Sequence, residues 1–102
     1  MTLGEVLAQA AMSLPGVQQL REGDRVEWSA GGRPFATLAG GDAEFRLQPL
    51  IARAALGTPD TATSSRGPEW IAFRPPEIDR YAADRATSWL ASAHRHATSP
   101  RS

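Results

Sequence analysis

The sequence contains neither cysteine nor lysine. Without cysteine, these 102 residues can form no disulfide, no thiolate nucleophile and no cysteine-ligated metal site. No apolar run approaches the roughly 18–20 residues that cross a bilayer. The first residues also lack the basic and then apolar pattern of an export signal. We therefore expect a cytoplasmic protein with no membrane partner.

All 11 basic residues are arginines, and 11 acidic residues balance them, so the formal net charge is zero. Arginine in place of lysine has two interpretations. It can reflect the coding bias of a GC-rich genome, or it can supply planar guanidinium groups that recognise phosphate or carboxylate. Strong nonspecific binding to nucleic acid depends on neutralising many phosphates, so a neutral chain argues against it.

The sequence also lacks the short motifs of common catalytic sites. It holds no GxSxG elbow, no phosphate-binding loop that ends in GK[ST] and no HExxH pair. Ser64 and Ser65 are adjacent hydroxyls, but no histidine lies near them in the sequence. We therefore predict that the protein is not an enzyme and uses no cofactor.

Potential metal ligands are few and poorly spaced. His94 and His96 are two residues apart, so on a helix their side chains point about 200° apart and cannot share one ion. The predicted first helix carries Glu5 as its only acidic residue, whereas iron binding would need a dense acidic ridge. We predict no metal site.

Helix signals lie at both ends of the chain and once between them. Thr2 and Glu5 have the spacing of a capping box, and apolar residues then recur at helical intervals until a Pro-Gly pair. A short helix with proline near its start is predicted over residues 49–56. The last helix begins at residues 75–77 and carries an apolar stripe that includes Leu90.

Strand signals fill the middle of the sequence. Three segments alternate polar and apolar residues as half-buried strands do; they cover residues 25–30, 34–39 and 43–47. Gly31-Gly32 suits a tight hairpin, and consecutive hairpins form an antiparallel meander. Residues 69–73 form a predicted fourth strand. Residues 18–24 and 59–68 are predicted to be connectors.

Together these elements predict an α+β fold. We expect an antiparallel sheet of about four strands, with the N- and C-terminal helices packed on one face. Trp28, Leu38 and Leu90 should lie in the core between the two layers. One domain is predicted over residues 1–96, followed by a disordered tail at residues 97–102.

Four short segments, taken in order, resemble the MmcQ/YjbR family of small single-domain bacterial proteins. They are MSLPGV at residues 12–17, GGRPFA at 31–36, FRL at 45–47 before the short helix, and RGPEWI at 66–71. With the last amphipathic helix, the resemblance covers roughly residues 2–95. It implies a frataxin-like, or double-wing, α+β fold and, by fold similarity, a DNA-binding protein.

The DNA-binding interpretation makes double-stranded DNA the partner. Its phosphates would be contacted by Arg33, Arg66, Arg74 and Ser65. Arg66 lies in PDTATSSRG, residues 59–67, a segment rich in hydroxyls and turn-forming residues. That segment either grips an anion through backbone amides or is a surface connector to the next strand.

The alternative interpretation is a binding module for a small molecule, such as an antibiotic or metabolite, or for a protein partner. Phe35, Trp70 and Trp89 would then line a ligand groove. Trp70 taken alone suits either a core position or a stacking platform.

The outer face of the predicted sheet bears on both interpretations. It mixes the two signs of charge, with Arg25, Glu27, Thr37, Glu44 and Arg46 expected on it. Cross-strand ion pairs explain such a mixture, whereas a DNA-reading face should be more uniformly basic.

Overall fold

A computed structural model describes residues 2–99 as three helices and one antiparallel sheet of six strands. The elements in chain order are α1 (Leu3–Ala11), β1 (Val17–Glu22), β2 (Arg25–Ala30), β3 (Arg33–Ala39), β4 (Asp42–Arg46), α2 (Pro49–Ala55), β5 (Thr61–Ser64), β6 (Gly67–Phe73) and α3 (Arg80–Thr98). The strand order across the sheet is β1-β2-β3-β4-β6-β5. The predicted α+β class is confirmed.

The number of strands differs from the prediction, since the sheet has six strands and not about four. The two additional strands, β1 and β5, form the edges of the sheet and lie in the segments predicted to be connectors. Five of the six β1 residues are exposed, and β5 is only a four-residue Thr-Ala-Thr-Ser segment. Neither strand alternates polar and apolar residues as a half-buried strand does. Each is a strand only because its backbone pairs with one neighbouring strand at the edge of the sheet.

The central meander of β2, β3 and β4 agrees with the prediction. Gly31 and Gly32 have φ angles of 60° and 78°, which a two-residue type I′ hairpin requires. The pairing of β2 with β3 shifts register between Trp28 and Ser29, which leaves Phe35 as an extra residue on β3. Because of this bulge, Phe35 and the adjacent Ala36 are both fully buried.

One hydrophobic core lies between the sheet and the helices. Helix α3 packs against β2, β3 and β4, α1 packs against α3, and α2 packs against β6. The largest fully buried side chains are Leu7, Trp28, Phe35, Phe45, Leu47, Ile71, Phe73 and Leu90. Trp28, Leu38 and Leu90 all lie in this core, as expected.

The helix starts show how local hydrogen bonds set the boundaries. In α1, the Glu5 amide donates to the Thr2 hydroxyl and the Thr2 amide donates to the Glu5 carboxylate, so the predicted capping box is present. The Thr2 amide is the main reason why the pKa of Glu5 is lowered. Helix α3 begins at Arg80, later than predicted, because Asp79 caps the amide of Ala82.

The end of α3 overlaps the predicted disordered tail. The helix continues through Thr98, and Ala97 is buried; residues 100–102 lie outside the described part of the chain. His94, on the same helix, is bonded through Nε2 to the Pro15 carbonyl at 2.8 Å and ties α3 to the turn after α1. Over residues 2–99, no helix combines the length and apolar character that crossing a membrane would need.

The face of the sheet opposite the core is mixed in chemistry. Residues that pair directly across neighbouring strands lie on the same face of the sheet. On this face one such row crosses all six strands and consists of Leu20, Glu27, Thr37, Glu44, Ala72 and Ala62. We call this the outer face. Arg46 and Trp70 are partners in the β4–β6 register and lie on the same face, two residues beyond Glu44 and Ala72.

Candidate functional site

A groove opens where the outer face meets the β5–β6 turn, and we call it the Trp70 groove. It encloses about 590 Å³ and is lined by Pro34, Arg46, Pro49, Arg66, Gly67, Pro68, Glu69 and Trp70. Four elements bring these residues together: the start of β3, the end of β4, the start of α2 and the start of β6, with Arg66 in the turn before β6. The groove therefore depends on the pairing of β4 with β6, which are far apart in sequence.

Arg66 is fixed over the indole of Trp70. Its guanidinium carbon lies 5.2 Å from the ring centroid, within the range of a cation–π contact. Its Nε donates to Glu44 Oε1 at 2.7 Å, and its backbone amide donates to the Ser64 hydroxyl at 3.1 Å. Three separate contacts therefore determine the position of one cation.

Glu44 is the carboxylate that organises this side of the groove. It accepts from the Thr37 hydroxyl at 3.3 Å, from Arg66 Nε and, through its other oxygen, from the Ser64 hydroxyl. Partial burial raises the pKa of Glu44, but the hydrogen bonds from Ser64 and Arg66, with the positive charge of Arg66, outweigh it and leave the pKa lowered. Glu44 therefore remains ionised and holds Arg66 at neutral pH.

Arg46 forms the second cation of the groove. Its Nε donates to Glu69 Oε1 at 3.0 Å, and the other oxygen of Glu69 lies 3.7 Å from Nε2 of His96 on α3. Glu69 thus links the groove to the helical layer.

The two guanidinium groups keep unused donors. Over residues 2–99, the side chains of Arg46 and Arg66 make their hydrogen bonds through Nε alone. Each group therefore retains two Nη groups that can donate to an anion. A carboxylate or phosphate is the acceptor that suits such a planar fork.

The residues predicted to contact phosphate do not come together on one surface. Arg66 and Arg33 lie toward the same end of the sheet, since Gly67 starts β6 and Arg33 starts β3. Arg74 follows the other end of β6 and pairs with Asp42 at 3.4 Å. Ser65 is exposed in the β5–β6 turn. The arginines predicted to contact phosphate are thus divided between two ends of the sheet.

The three predicted groove aromatics are also separated. Trp70 is half-buried and lines the groove. Phe35 is fully buried and meets the His94 ring edge-on at 5.6 Å. Trp89 packs against Phe45 and Phe73 on the core side. Only Trp70 of the three is available to a ligand at the outer face.

The histidines and carboxylates of the described residues are not grouped as metal ligands. Over residues 2–99, no group of three or more His, Asp or Glu side chains is arranged to hold an ion. His94 is buried against Phe35, whereas Nε2 of His96 is buried near Glu69 without a hydrogen-bond partner among the described residues.

Arg46, Pro34 and Pro49 are groove residues that the sequence analysis missed as site candidates. Arg46 was assigned to the outer face by strand alternation, but its proximity to Trp70 depends on the β4–β6 register. That pairing spans α2 and β5, and no local pattern encodes it. The nearest signal was the clustering of proline, arginine and tryptophan at residues 66–70.

In comparisons with known proteins, the chain matches no family model, no curated protein and no solved structure. The resemblance to the MmcQ/YjbR family consequently rests on the sequence segments alone.

Proposed function

We propose that the protein is a non-catalytic binding protein, and that its ligand is a small planar molecule with one carboxylate or phosphate group held in the Trp70 groove. The observation that carries this proposal is the placement of the Arg46 and Arg66 guanidinium groups beside an accessible indole, with Nη groups that donate to no acceptor in the described part of the chain. The guanidinium groups would bind the anion and the indole would stack on the planar part.

The shape of the groove supports a small ligand. Its volume of about 590 Å³ falls within the usual range for small-molecule sites. Pro34, Pro49 and Pro68 form apolar parts of the wall, and proline carries no backbone N–H that would need a partner. The polar contacts of a ligand would therefore fall mainly on the two arginines.

The charge balance of the groove favours a single anionic group. Arg46 and Arg66 are each already paired with a carboxylate, Glu69 and Glu44 respectively. A ligand with one negative charge would share these cations, whereas a polyanion would meet repulsion from the two acids.

Binding of double-stranded DNA is the alternative that the family resemblance implies. Among residues 2–99, four arginines are ion-paired with acids, at distances between 2.7 and 3.8 Å. Phosphate contacts would have to compete with these pairs, and a chain of zero net charge gains little from counterion release. The small-anion proposal is therefore the better supported one.

Calorimetric titration tests the proposal with benzoate and phenyl phosphate as probes and benzamide as the uncharged counterpart of benzoate. We expect at least one of the anions to bind and benzamide to bind at least tenfold more weakly. Arg66→Gln should weaken anion binding roughly 10- to 100-fold, because it removes charged hydrogen bonds worth about 1.5–3 kcal/mol.

Arg74→Gln is the matched control, since Arg74 is also ion-paired at the end of β6 but lies far from the groove. It should leave anion binding unchanged. A parallel titration of a labelled 20-base-pair duplex distinguishes the alternative. Binding of the duplex that falls steeply with salt and is lost in Arg66→Gln, without binding of the small anions, would replace this proposal with DNA recognition.

A further inference from the structure

Strand β1 is an edge strand that neither a proline nor a bulge protects against pairing. Its six residues pair with β2 in unbroken register from Val17 opposite Ala30 to Glu22 opposite Arg25. It contains no proline, and no bulge interrupts it. Such a strand presents a row of unpaired backbone groups to another strand.

The opposite edge of the sheet is protected. Strand β5 has only four residues, and its register with β6 shifts between Thr63 and Ser64. Pro59 precedes it and Pro68 lies in the neighbouring strand. Short length, irregular pairing and nearby prolines are common ways to prevent an edge from pairing. The contrast singles out β1 as the edge open to a partner.

The hairpin between β1 and β2 shows which β1 backbone groups are free. Glu22 and Arg25 flank the two-residue Gly23-Asp24 turn, so they form a hydrogen-bonded pair. Alternation along an antiparallel strand then directs the N–H and C=O groups of Val17, Gln19 and Arg21 away from β2. These three residues provide the hydrogen-bonding groups of a new ladder.

We propose that β1 pairs antiparallel with β1 of a second copy, with Leu20 opposite Leu20. In this register Gln19 lies opposite Arg21 and Gln18 lies opposite Glu22, so no like charges face each other. Leu20 is 57% exposed and lies on the outer face, where it would meet its counterpart in a non-hydrogen-bonded pair. Side chains approach most closely in such pairs.

Neighbouring registers are less favourable. A two-residue shift in one direction places Arg21 opposite Arg21, and like charges in direct opposition destabilise a sheet. A shift in the other direction places Gln19 opposite Gln19 and separates the two leucines. A one-residue shift would move Leu20 of one copy to the opposite face from Leu20 of the other. Charge and apolar contact therefore select the same register.

The proposed pairing has a geometric consequence for the Trp70 groove. The two-fold axis of an antiparallel strand pair is perpendicular to the sheet, so the outer faces of both copies lie on the same side. The joined sheet would display two Trp70 grooves on one surface. The dimer does not depend on the groove's ligand, and failure of either proposal leaves the other intact.

Single cysteines test the register directly, because the chain has no native cysteine. Leu20→Cys places the two thiols in a directly opposed pair, within reach of a disulfide. Gln18→Cys is the matched control: its two copies would be separated by four residue steps, or roughly 13 Å along the strand. We expect mild oxidation to form a covalent dimer of L20C but little dimer of Q18C, with equal circular dichroism for both variants.

Sedimentation equilibrium of the cysteine-free protein provides the second test. Gln18→Arg would place a cation opposite Glu22 of the second copy, whereas Gln18→Glu would place two carboxylates together. Two symmetric pairs should tighten or weaken the dimer by roughly 2- to 30-fold in dissociation constant. The proposal is overturned by a monomer at every concentration, by equal cross-linking of the two cysteine variants, or by equal affinities of the two charge variants.

Discussion

The guanidinium of Arg66 lies over Trp70, 5.2 Å from the ring centroid, while Glu44 holds its Nε at 2.7 Å. The cation is thus positioned by an aromatic ring below and a carboxylate beside it. A side chain that is fixed before a ligand arrives loses less conformational entropy when the ligand binds. The ion pair between Glu44 on β4 and Arg66 both stabilises the sheet and positions a cation that lines the groove.

Glu44→Gln should destabilise the protein at neutral pH by about 0.5–1.5 kcal/mol, because it weakens a partly buried ion pair and a network of hydrogen bonds. The pKa of Glu44 is lowered in the folded protein. Its stabilising effect is therefore complete above the unfolded pKa of about 4.3 and is lost as the pH falls through the folded pKa. Urea unfolding measured from pH 7 downward should show the difference from wild type shrinking below about pH 4.3.

Glu77→Gln is the control for this experiment, since Glu77 is exposed and makes no described ion pair. Its stability should follow that of the wild type at each pH. A Glu44→Gln difference that stays constant down to strongly acidic pH would show that the carboxylate charge does not stabilise the fold.

Gln19→Ala should destabilise the protein by about 1 kcal/mol, because it removes the acceptor for a buried indole N–H. Trp28 is 1% exposed, and its Nε1 donates to Gln19 Oε1 at 3.0 Å. Gln18→Ala is matched to it, since the adjacent side chain lies on the other face of β1. Thermal or urea unfolding should separate the two variants; equal stability would mean that water satisfies the indole.

Arg85→Ala should loosen the loop between α2 and β5 and lower stability by about 1–3 kcal/mol. The Arg85 guanidinium carbon lies 4.8 Å from the Trp89 ring centroid and 5.0 Å from those of Phe73 and Tyr81. Its Nη2 also donates to the Thr58 hydroxyl at 2.7 Å and to the Pro59 carbonyl. Arg85→Lys should recover little of the loss, because an ammonium cannot reproduce the planar contacts.

Hydrogen exchange of the Gly57 and Thr58 amides, both bonded to α2 carbonyls, measures the loosening. We expect faster exchange in both Arg85 variants. The control is Arg80→Ala, because Arg80 is exposed on the same helix and makes no described side-chain contact. In this variant the two amides should exchange at the wild-type rate. Unchanged amide exchange in Arg85→Ala would contradict the prediction that Arg85 holds the loop between α2 and β5 in place.

The parts of the fold that followed from sequence are those governed by local chemistry. Thr2 and Glu5 encode a cap through their spacing, and Gly31-Gly32 encodes a hairpin through positive φ. Strands β2, β3 and β4 bury one face and therefore alternate. Strand β1 was missed because an exposed edge strand has no face to bury, and Leu20 alone gives no period.

Only the part of the candidate site that comes from one segment of the sequence could be predicted. Arg66 and Trp70 are close in sequence, and their association follows from one turn. Arg46 and Pro34 reach the same groove through the β4–β6 and β3–β4 registers, which long-range pairing sets. Phe35 was expected in a groove, but the β3 bulge places it in the core.

Localising the ligand within the protein tests the central claim most directly. The chain has three tryptophans, so a two-dimensional ¹H–¹⁵N spectrum contains three indole N–H signals that can be followed during a titration with whichever of benzoate and phenyl phosphate binds more tightly in calorimetry. We predict that the Trp70 signal shifts saturably while those of Trp28 and Trp89 remain in place, and that Arg66→Gln reduces the shift. A saturable shift of Trp89 instead, or no shift of any indole signal, would contradict a binding site at the Trp70 groove.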